Sequence, residues 1–308
     1  MKSENKHKTV TAHDVSNLFA TLPDRTNKGD MGRVLCICGA ADEHGLSMCG
    51  AAYFAAMAAY RCGAGIVEIF THSKNYAPLA ARVPEAVFCL YDGGEDGDDV
   101  CERLAREIKK ADAVIIGCGI GVGELSQKLV RATLGSADCP LLLDADALNI
   151  LSRDDSVWDI MSAEQRARTV ITPHPGEMSR LTGKSIESIL SDTVSAARDL
   201  ARERGVVCLL KDHRTVITDG AKTYINCSGN AGMATAGMGD VLAGVIGAIA
   251  ARLSKGNAAL SAAEVLGGAA VGAYVHGLAG DAAAQRVGQY SLVASDVLSA
   301  IPEVLTKR

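Results

Sequence analysis

Asp240 follows a run of small or flexible residues, Asn230-Ala231-Gly232-Met233-Ala234-Thr235-Ala236-Gly237-Met238-Gly239, and precedes the apolar Val241-Leu242-Ala243-Gly244. The apolar run predicts a helix beginning near Asp240, and the glycines let the backbone turn tightly and approach a ligand. At a helix start the amides of 237–240 lack helical acceptors and the dipole adds positive potential. The segment therefore reads as an anion hole for phosphate. A carboxylate beside such a hole can take a proton from a hydroxyl while the hole stabilises phosphoryl charge. An aspartate here also serves as an ordinary N-cap. The small residues before it favour the chemical reading.

Four more segments place chemistry-bearing residues at the ends of apolar runs. Thr172-Pro173-His174-Pro175-Gly176-Glu177 has two prolines that stiffen the loop and start a helix, holding His174 where open α/β sheets bind ligands. The plainer reading of His174 is a loop histidine bonded to backbone. Glu177 falls in the first helical turn, where an acid is common anyway. Asp144 and Asp146, after 141–143, form a carboxylate pair able to hold hydrated magnesium, to meet a ligand, or to cap the next helix. Gly117, Gly119, Gly121 and Gly123 line a turn or crevice, but Val122 occupies the last glycine position of a dinucleotide fingerprint. Lys211-Asp212-His213-Arg214-Thr215 offers a lysine to a phosphate and a threonine as hydrogen-bond donor. Alone, it reads better as a solvated charged turn.

The elements that position these residues alternate. Short apolar runs at 34–38, 66–70, 113–116, 141–143, 169–171, 206–210, 215–218 and 222–225 predict strands. Helical stretches at 51–62, 100–109, 126–134 and 189–204 lie between them. Continuously apolar strands alternating with helices imply a mostly parallel sheet covered on both faces. The last two runs, joined through Asp219-Gly220, predict a hairpin. Thr11 and Asp14 predict a capped helix start, and residues 1–10 before it are expected to be loose. From Asp240 onward the chain reads as nearly all helix. No linker, charge block or repeat divides the 308 residues, so one domain is expected.

Bulk composition narrows the function. A net charge of −5 disfavours nucleic acid and anionic membrane. The apolar stretches 231–253 and 262–284 are Gly/Ala-rich and carry internal polar groups, which suits close helix packing rather than a membrane span. The polar start 1–10 and the 10 cysteines without a C-x-x-C pair point to reduced thiols in a cytoplasmic protein. The Ala/Gly-rich C-terminal helices, read as exposed, point to a homo-oligomer, since small residues allow close helix contact.

In order along the chain, KGDMGRVLCICGA, GAG, RVPEA, IGCGIG, LLLDADALN, ITPHPGE, LLKDHRT and NAGMATAGMGDVLAG resemble the NAD(P)H-hydrate dehydratase family, carbohydrate-kinase-like relatives of ribokinase. The resemblance runs from about Lys28 to the final helices. It implies a ribokinase-like α/β fold with a mostly parallel central sheet flanked by helices and a helical C-terminal third. It implies repair of hydrated NADH or NADPH: ATP or ADP phosphorylates the ring hydroxyl, and loss of phosphate restores the reduced cofactor. By motif matching, Asp240 is the base. Gly50 or Ala51, Gly119, His174 and Asp240 face the hydrate, while Lys211, Asp212, His213, Arg214, Thr215, Gly237 and Gly239 bind the adenine nucleotide. Magnesium near Glu177 is expected from the kinase-like relatives. The chain departs from the family pattern in three places. Asp212 follows the lysine where glycine is usual. Gly117-Cys118-Gly119 replaces Gly-Pro-Gly, and Asn226-Cys227-Ser228-Gly229 replaces Asn-Pro-Thr-Gly. The family is often joined to an epimerase domain, for which 308 residues leave no room.

Two other functions fit parts of this pattern. A small-molecule kinase for a vitamin precursor or sugar would share Asp240 and the anion hole but release a stable phosphoester. A nucleotide-binding protein without catalysis would not need an intact Asp240.

Overall fold

The computed structural model describes residues 7–42, 44–256 and 260–306. Its centre is one nine-stranded sheet of β1 (Arg33–Ile37), β2 (Ile66–His72), β3 (Val87–Tyr91), β4 (Ala113–Ile116), β5 (Leu141–Leu143), β6 (Thr169–Ile171), β7 (Val207–Leu210), β8 (Thr215–Thr218) and β9 (Thr223–Asn226). The order across the sheet is β3-β2-β1-β4-β5-β6-β7-β8-β9. All pairs from β3 through β7 are parallel, while β8 and β9 form the expected antiparallel hairpin. The chain moves outward from β1 to β3, then returns to place β4 on the other side of β1. The crevice between β1 and β4 is therefore the switch point at which open α/β sheets bind ligands, beyond the carboxyl ends of their strands.

Each face of the sheet carries its own apolar core. On one face Val34, Cys36, Val67, Ile69, Ile115 and Leu142 pack against the helices Cys49–Arg61, Met238–Gly256, Ala262–Val287 and Ala294–Thr306. On the other, Leu35, Ile37, Val114, Ile116 and Leu143 meet helices such as Gly97–Ile108, Glu124–Ser136 and Thr193–Arg204. Alternate residues of one strand thus enter different cores, which explains why the strands read as unbroken apolar runs.

Small residues bring two site-bearing helices together. A Cβ at Gly244 would collide with the Ala55 carbonyl, and Ala55, Ala58 and Ala59 are fully buried. The Cys49–Arg61 and Met238–Gly256 helices therefore approach closely, and their N-termini lie near the same sheet edge.

The structure differs from expectation in four respects. β3 is an additional edge strand. The stretch expected as one helix over 189–204 is two, Ile186–Ser191 and Thr193–Arg204, because the Asp192 side chain accepts from the Ser195 amide (2.9 Å) and starts a new helix. Of the segment expected to be loose, residues 1–6 lie outside the described residues. Lys8 bridges to Tyr224 beside β9, and Val10 is buried. Finally, much of the Gly/Ala-rich Ala262–Val287 helix is buried, although Gly267 faces open space. Gly272, Gly277 and Gly280 pack on Ile246, Ser228 and Met233 within the chain, so the small residues serve intramolecular contact. Among the described residues, no helix is long and apolar enough to cross a membrane. The Thr11–Asp14 capping box is present as expected.

Candidate active site

The functional side chains gather along the carboxyl ends of β4 to β7 and at one helix N-terminus. The helix starts at Met238, so Asp240 is in its first turn as the third helical residue, not its N-cap. The Val241 amide closes back to the Gly237 carbonyl (3.0 Å). The amides of Met238, Gly239 and Asp240 precede the first such bond, which leaves them available to an anion.

Lys211, immediately after β7, reaches into this space. Its Nζ is 2.8 Å from Asp144 Oδ1 and 3.8 Å from Glu177 Oε2. Burial alone pulls the lysine down, but the carboxylates of Asp144 and Glu177 outweigh it and hold the ammonium above its usual range. Thr172 donates to the same Asp144 oxygen (2.7 Å). Asp144 Oδ1 thus anchors and aims Lys211. Asp146 is likewise engaged, accepting from the Gly121 amide (2.8 Å) and tying the β4 and β5 loops together. Between the two aspartates, Ala145 has φ of 48°, a strained backbone for a residue with a side chain.

Asp240 completes the cluster. Its carboxylate, that of Asp144 and the Cys118 thiol lie within 4.8 Å of one another. Burial, reinforced by the charge of Asp144, pushes the Asp240 carboxyl up to about 6, while the Cys118 thiol and Lys211 pull it down and Asp146 adds to the rise. A base with this value is half ionised near pH 6, the range suited to proton transfer at neutral pH.

The glycine loop after β4 forms the floor on the β1 side. Gly119 has φ of 65°, and a Cβ there would stand 3.1 Å from that of Ala51 and 2.9 Å from that of Met48. A side chain at 119 would therefore fill the ground beside Ala51. Gly50 faces open space at the start of its helix. His174 is the N-cap of the Pro175–Thr182 helix. Its Nδ1 accepts from the amides of Gly176 (3.0 Å) and Glu177 (3.4 Å), which places the proton on Nε2. It is thus backbone-bonded, as the plainer reading had it. The ring is also half exposed, with Nε2 3.5 Å from Glu177 Oε1.

Not all the expected nucleotide residues converge. Lys211 turns inward, but His213 and Arg214 are exposed in the β7–β8 turn. The Thr215 hydroxyl donates to the Asp212 carbonyl (3.2 Å), and His213 Nδ1 is 3.4 Å from Asp212 Oδ2. Gly237 is half-buried against Phe54 and Ala294, behind the anion hole. Lys28 to Gly32 lead into the amino end of β1 and pack on Ala251 and Gly65, at the far end of the sheet.

Three groups had no assigned role from sequence: Thr172, Cys118 and His276. Thr172 was visible as a hydroxyl residue directly after a strand. His276 faces the Met238 backbone from the Ala262–Val287 helix, and its buried Nε2 has no hydrogen-bond partner among the described residues. Burial pushes it down to about 4, so the ring is neutral. Nothing in its Gly/Ala-rich surroundings marked it.

Gly239 gives the first test of this geometry. A Cβ there would stand 3.3 Å from Asp144 Oδ2 and 3.6 Å from Lys211 Nζ, inside the space an anion would take. Alanine is favoured over glycine in a helix by up to about 1 kcal/mol. Gly239→Ala is therefore expected to hold or raise Tm while lowering turnover roughly 10²-fold. Parallel thermal melts and kinetics check it, and equal losses of both would contradict it.

A nine-stranded, mostly parallel sheet, with a lysine and an aspartate meeting at a glycine-preceded helix N-terminus, defines a ribokinase-like scaffold. A family description for NAD(P)H-hydrate dehydratases matches residues 34–303, and the chain belongs to that family. It is 32% identical to the ADP-dependent (S)-NAD(P)H-hydrate dehydratase of Neisseria meningitidis, covering 90% of this chain and 86% of that protein. It is 36% identical to a bifunctional NAD(P)H-hydrate repair enzyme of Thermofilum pendens, over 98% of this chain and 55% of the relative. The chain thus spans about half the length of the bifunctional relatives it matches. Among solved structures, the ADP/ATP-dependent NAD(P)H-hydrate dehydratase of Bacillus subtilis, co-crystallised with ATP and Mg2+, superposes with a TM-score of 0.72 at 26% identity, covering 95% of this chain and 96% of that one.

Proposed function

We propose that this chain dehydrates (S)-NAD(P)H hydrate to NAD(P)H at the expense of ADP or ATP, the activity named for its relatives. The observation that carries the reading is the meeting of Lys211, Gly239 and Asp240 at a helix N-terminus whose first amides are available to an anion. Asp240 accepts the proton of the hydrate's ring hydroxyl. The hydroxyl oxygen attacks the terminal phosphorus of the nucleotide, and the bond to the leaving AMP or ADP oxygen breaks. The amides of Met238–Asp240 and the Lys211 ammonium take up the charge on the transferring group. The ring carbon–oxygen bond then breaks, a proton leaves the neighbouring carbon, and the double bond returns with release of inorganic phosphate. Phosphate leaves readily where hydroxide does not, which is why a nucleotide is required.

Gly50, Ala51 and Gly119 lie at the β1–β4 crevice and His174 follows β6; all four are assigned to the hydrate, with Nε2–H of His174 as a donor. Lys211, the 212–215 turn, Gly237 and Gly239 are assigned to the nucleotide. Of these, Lys211 and Gly239 are the contacts the geometry favours. When bound, magnesium would neutralise phosphate oxygens. Glu177 is buried, accepts from the His174 amide (2.8 Å) and neighbours Lys211, so its carboxylate suits an outer role. Phosphates and water would supply most of the coordination. The cysteines are unpaired, which agrees with a cytoplasmic setting.

Incubation with (S)-NADH hydrate and Mg2+, adding ADP and ATP separately, tests the reading. Recovery of dihydronicotinamide absorbance with one nucleotide supports it and names the donor. No recovery with either, from folded protein, refutes it. The pH dependence follows from Asp240. Its value of about 6 lies above that of an ordinary carboxyl, and only the ionised form accepts a proton. Turnover is expected to be flat above pH 7 and to fall about tenfold per unit well below pH 6. A profile flat down to pH 4.5 would contradict the assignment.

A further inference from the structure

We propose that Cys118 is a positioning residue for the base: its thiol donates a hydrogen bond to the Asp240 carboxylate and fixes the oxygen that receives the substrate proton. The inference rests on the assignment of Asp240 as base.

Cys118 directly follows Gly117 after β4, and Gly117 and Gly119 on either side of it have φ of 124° and 65°. Its carbonyl accepts from the Gly39 amide (2.9 Å), so the loop is pinned to the end of β1. The side chain is fully buried, and its sulfur lies within 4.8 Å of both the Asp144 and Asp240 carboxylates. Asp144 Oδ1 already takes Thr172 and Lys211. Asp240 also feels the Lys211 ammonium, but that ammonium is already bonded to Asp144.

The thiol stays protonated. A hydrogen bond from Cys38 favours its ionisation, but burial and the charges of Asp240 and Asp144 outweigh that and push Cys118 up to about 12. It is therefore a neutral donor throughout the working range. Cys38 and Cys36 are fully buried thiols that act on the Cys118 environment without adding charge. A thiol is a weak donor, yet in a dry site a weak donor orients a carboxylate that burial disfavours. The groups that set Asp240 are thus Asp144 and Asp146 after β5, Lys211 after β7 and Cys118 after β4. Of these, Cys118 is the only uncharged one.

The test pairs Cys118→Ala, which removes the donor at little cost in volume, with Cys118→Ser, which keeps one. Titration of the Asp240 carboxyl by carbon NMR is followed alongside kinetics. Cys118→Ala is expected to move that titration, and the acid limb of kcat, to higher pH. It should lower kcat at neutral pH roughly tenfold, corresponding to about 1.4 kcal/mol, with KM nearly unchanged. Cys118→Ser should restore most of both. An unmoved titration in Cys118→Ala would overturn the proposal, as would equal losses in both variants with unshifted limbs, which would indicate packing alone. Failure of the underlying reading is separately visible, because Asp240→Asn would then remain active whatever residue 118 is.

Discussion

Asp240→Asn is expected to lower turnover by roughly three orders of magnitude while leaving the fold and nucleotide binding intact. Asparagine has nearly the same shape and keeps the helix start, but it cannot accept the hydroxyl proton. The variant should also be no less stable than the parent above pH 6. In the native protein this carboxyl is raised to about 6 by burial and by Asp144, so between 3.8 and about 6 the folded state holds a proton the unfolded chain has lost. The group's contribution to stability therefore declines as pH rises through that window. A neutral amide escapes this decline. Kinetics and thermal melts at pH 8 check both halves. Lost turnover with an unchanged or higher Tm is the signature of a base, whereas a fall in both would make Asp240 structural.

Lys211→Met is expected to damage stability and activity together. Asp144 and Glu177 are nearly inaccessible, at 2% and 5% exposure, and Lys211 is the cation beside both. Removing one partner of a buried ion cluster costs about 3–5 kcal/mol, because the remaining charge loses its compensation. Turnover should fall by roughly 10²- to 10³-fold beyond any loss of folded protein, since an electrostatic stabiliser of the phosphoryl group is gone. Lys211→Arg separates the effects. A guanidinium restores charge, but its planar fork does not reproduce a point ammonium. Most stability should return and most turnover should not. Denaturant unfolding with kinetics on the three proteins reads this directly. Full activity in Lys211→Met would remove the lysine from the site.

Much of this architecture was legible because both faces of the sheet are covered. β1, β2 and β4 to β9 stood out as short β-like runs, several of them continuously apolar and bounded by Gly, Asp or Pro, and the motifs that build the site fell at carboxyl ends. β3 went unrecognised although Val87-Phe88-Cys89-Leu90-Tyr91 is an apolar run. It is an edge strand, with Val87 exposed and the next three residues half-buried, so it carries less of the doubly buried character of the others. The break at Asp192 was also readable, since Asp192 and Ser195 have capping spacing. Pairings between distant segments were beyond local pattern. Asp144 and Lys211 stand 67 positions apart, and nothing local hints that the two form an ion pair, which depends on the parallel order β5-β6-β7. The LLKDHRT segment looked like one nucleotide-binding unit, yet strand geometry turns Lys211 inward and leaves His213 and Arg214 outside. Cys118 was noticed only as a missing proline. Its proximity to Asp240 arises from a helix that begins 120 residues later, at Met238.

The central claim is that the phosphoryl group placed on the substrate at this site is lost again as inorganic phosphate. Phosphorus NMR during turnover of (S)-NADH hydrate with the productive nucleotide, read alongside dihydronicotinamide absorbance, tests it most directly. The account predicts one inorganic phosphate and one restored NADH for each nucleotide consumed, with no lasting phosphoester. A phosphoester that accumulates while absorbance stays flat would contradict it and make the chain a kinase on the same scaffold.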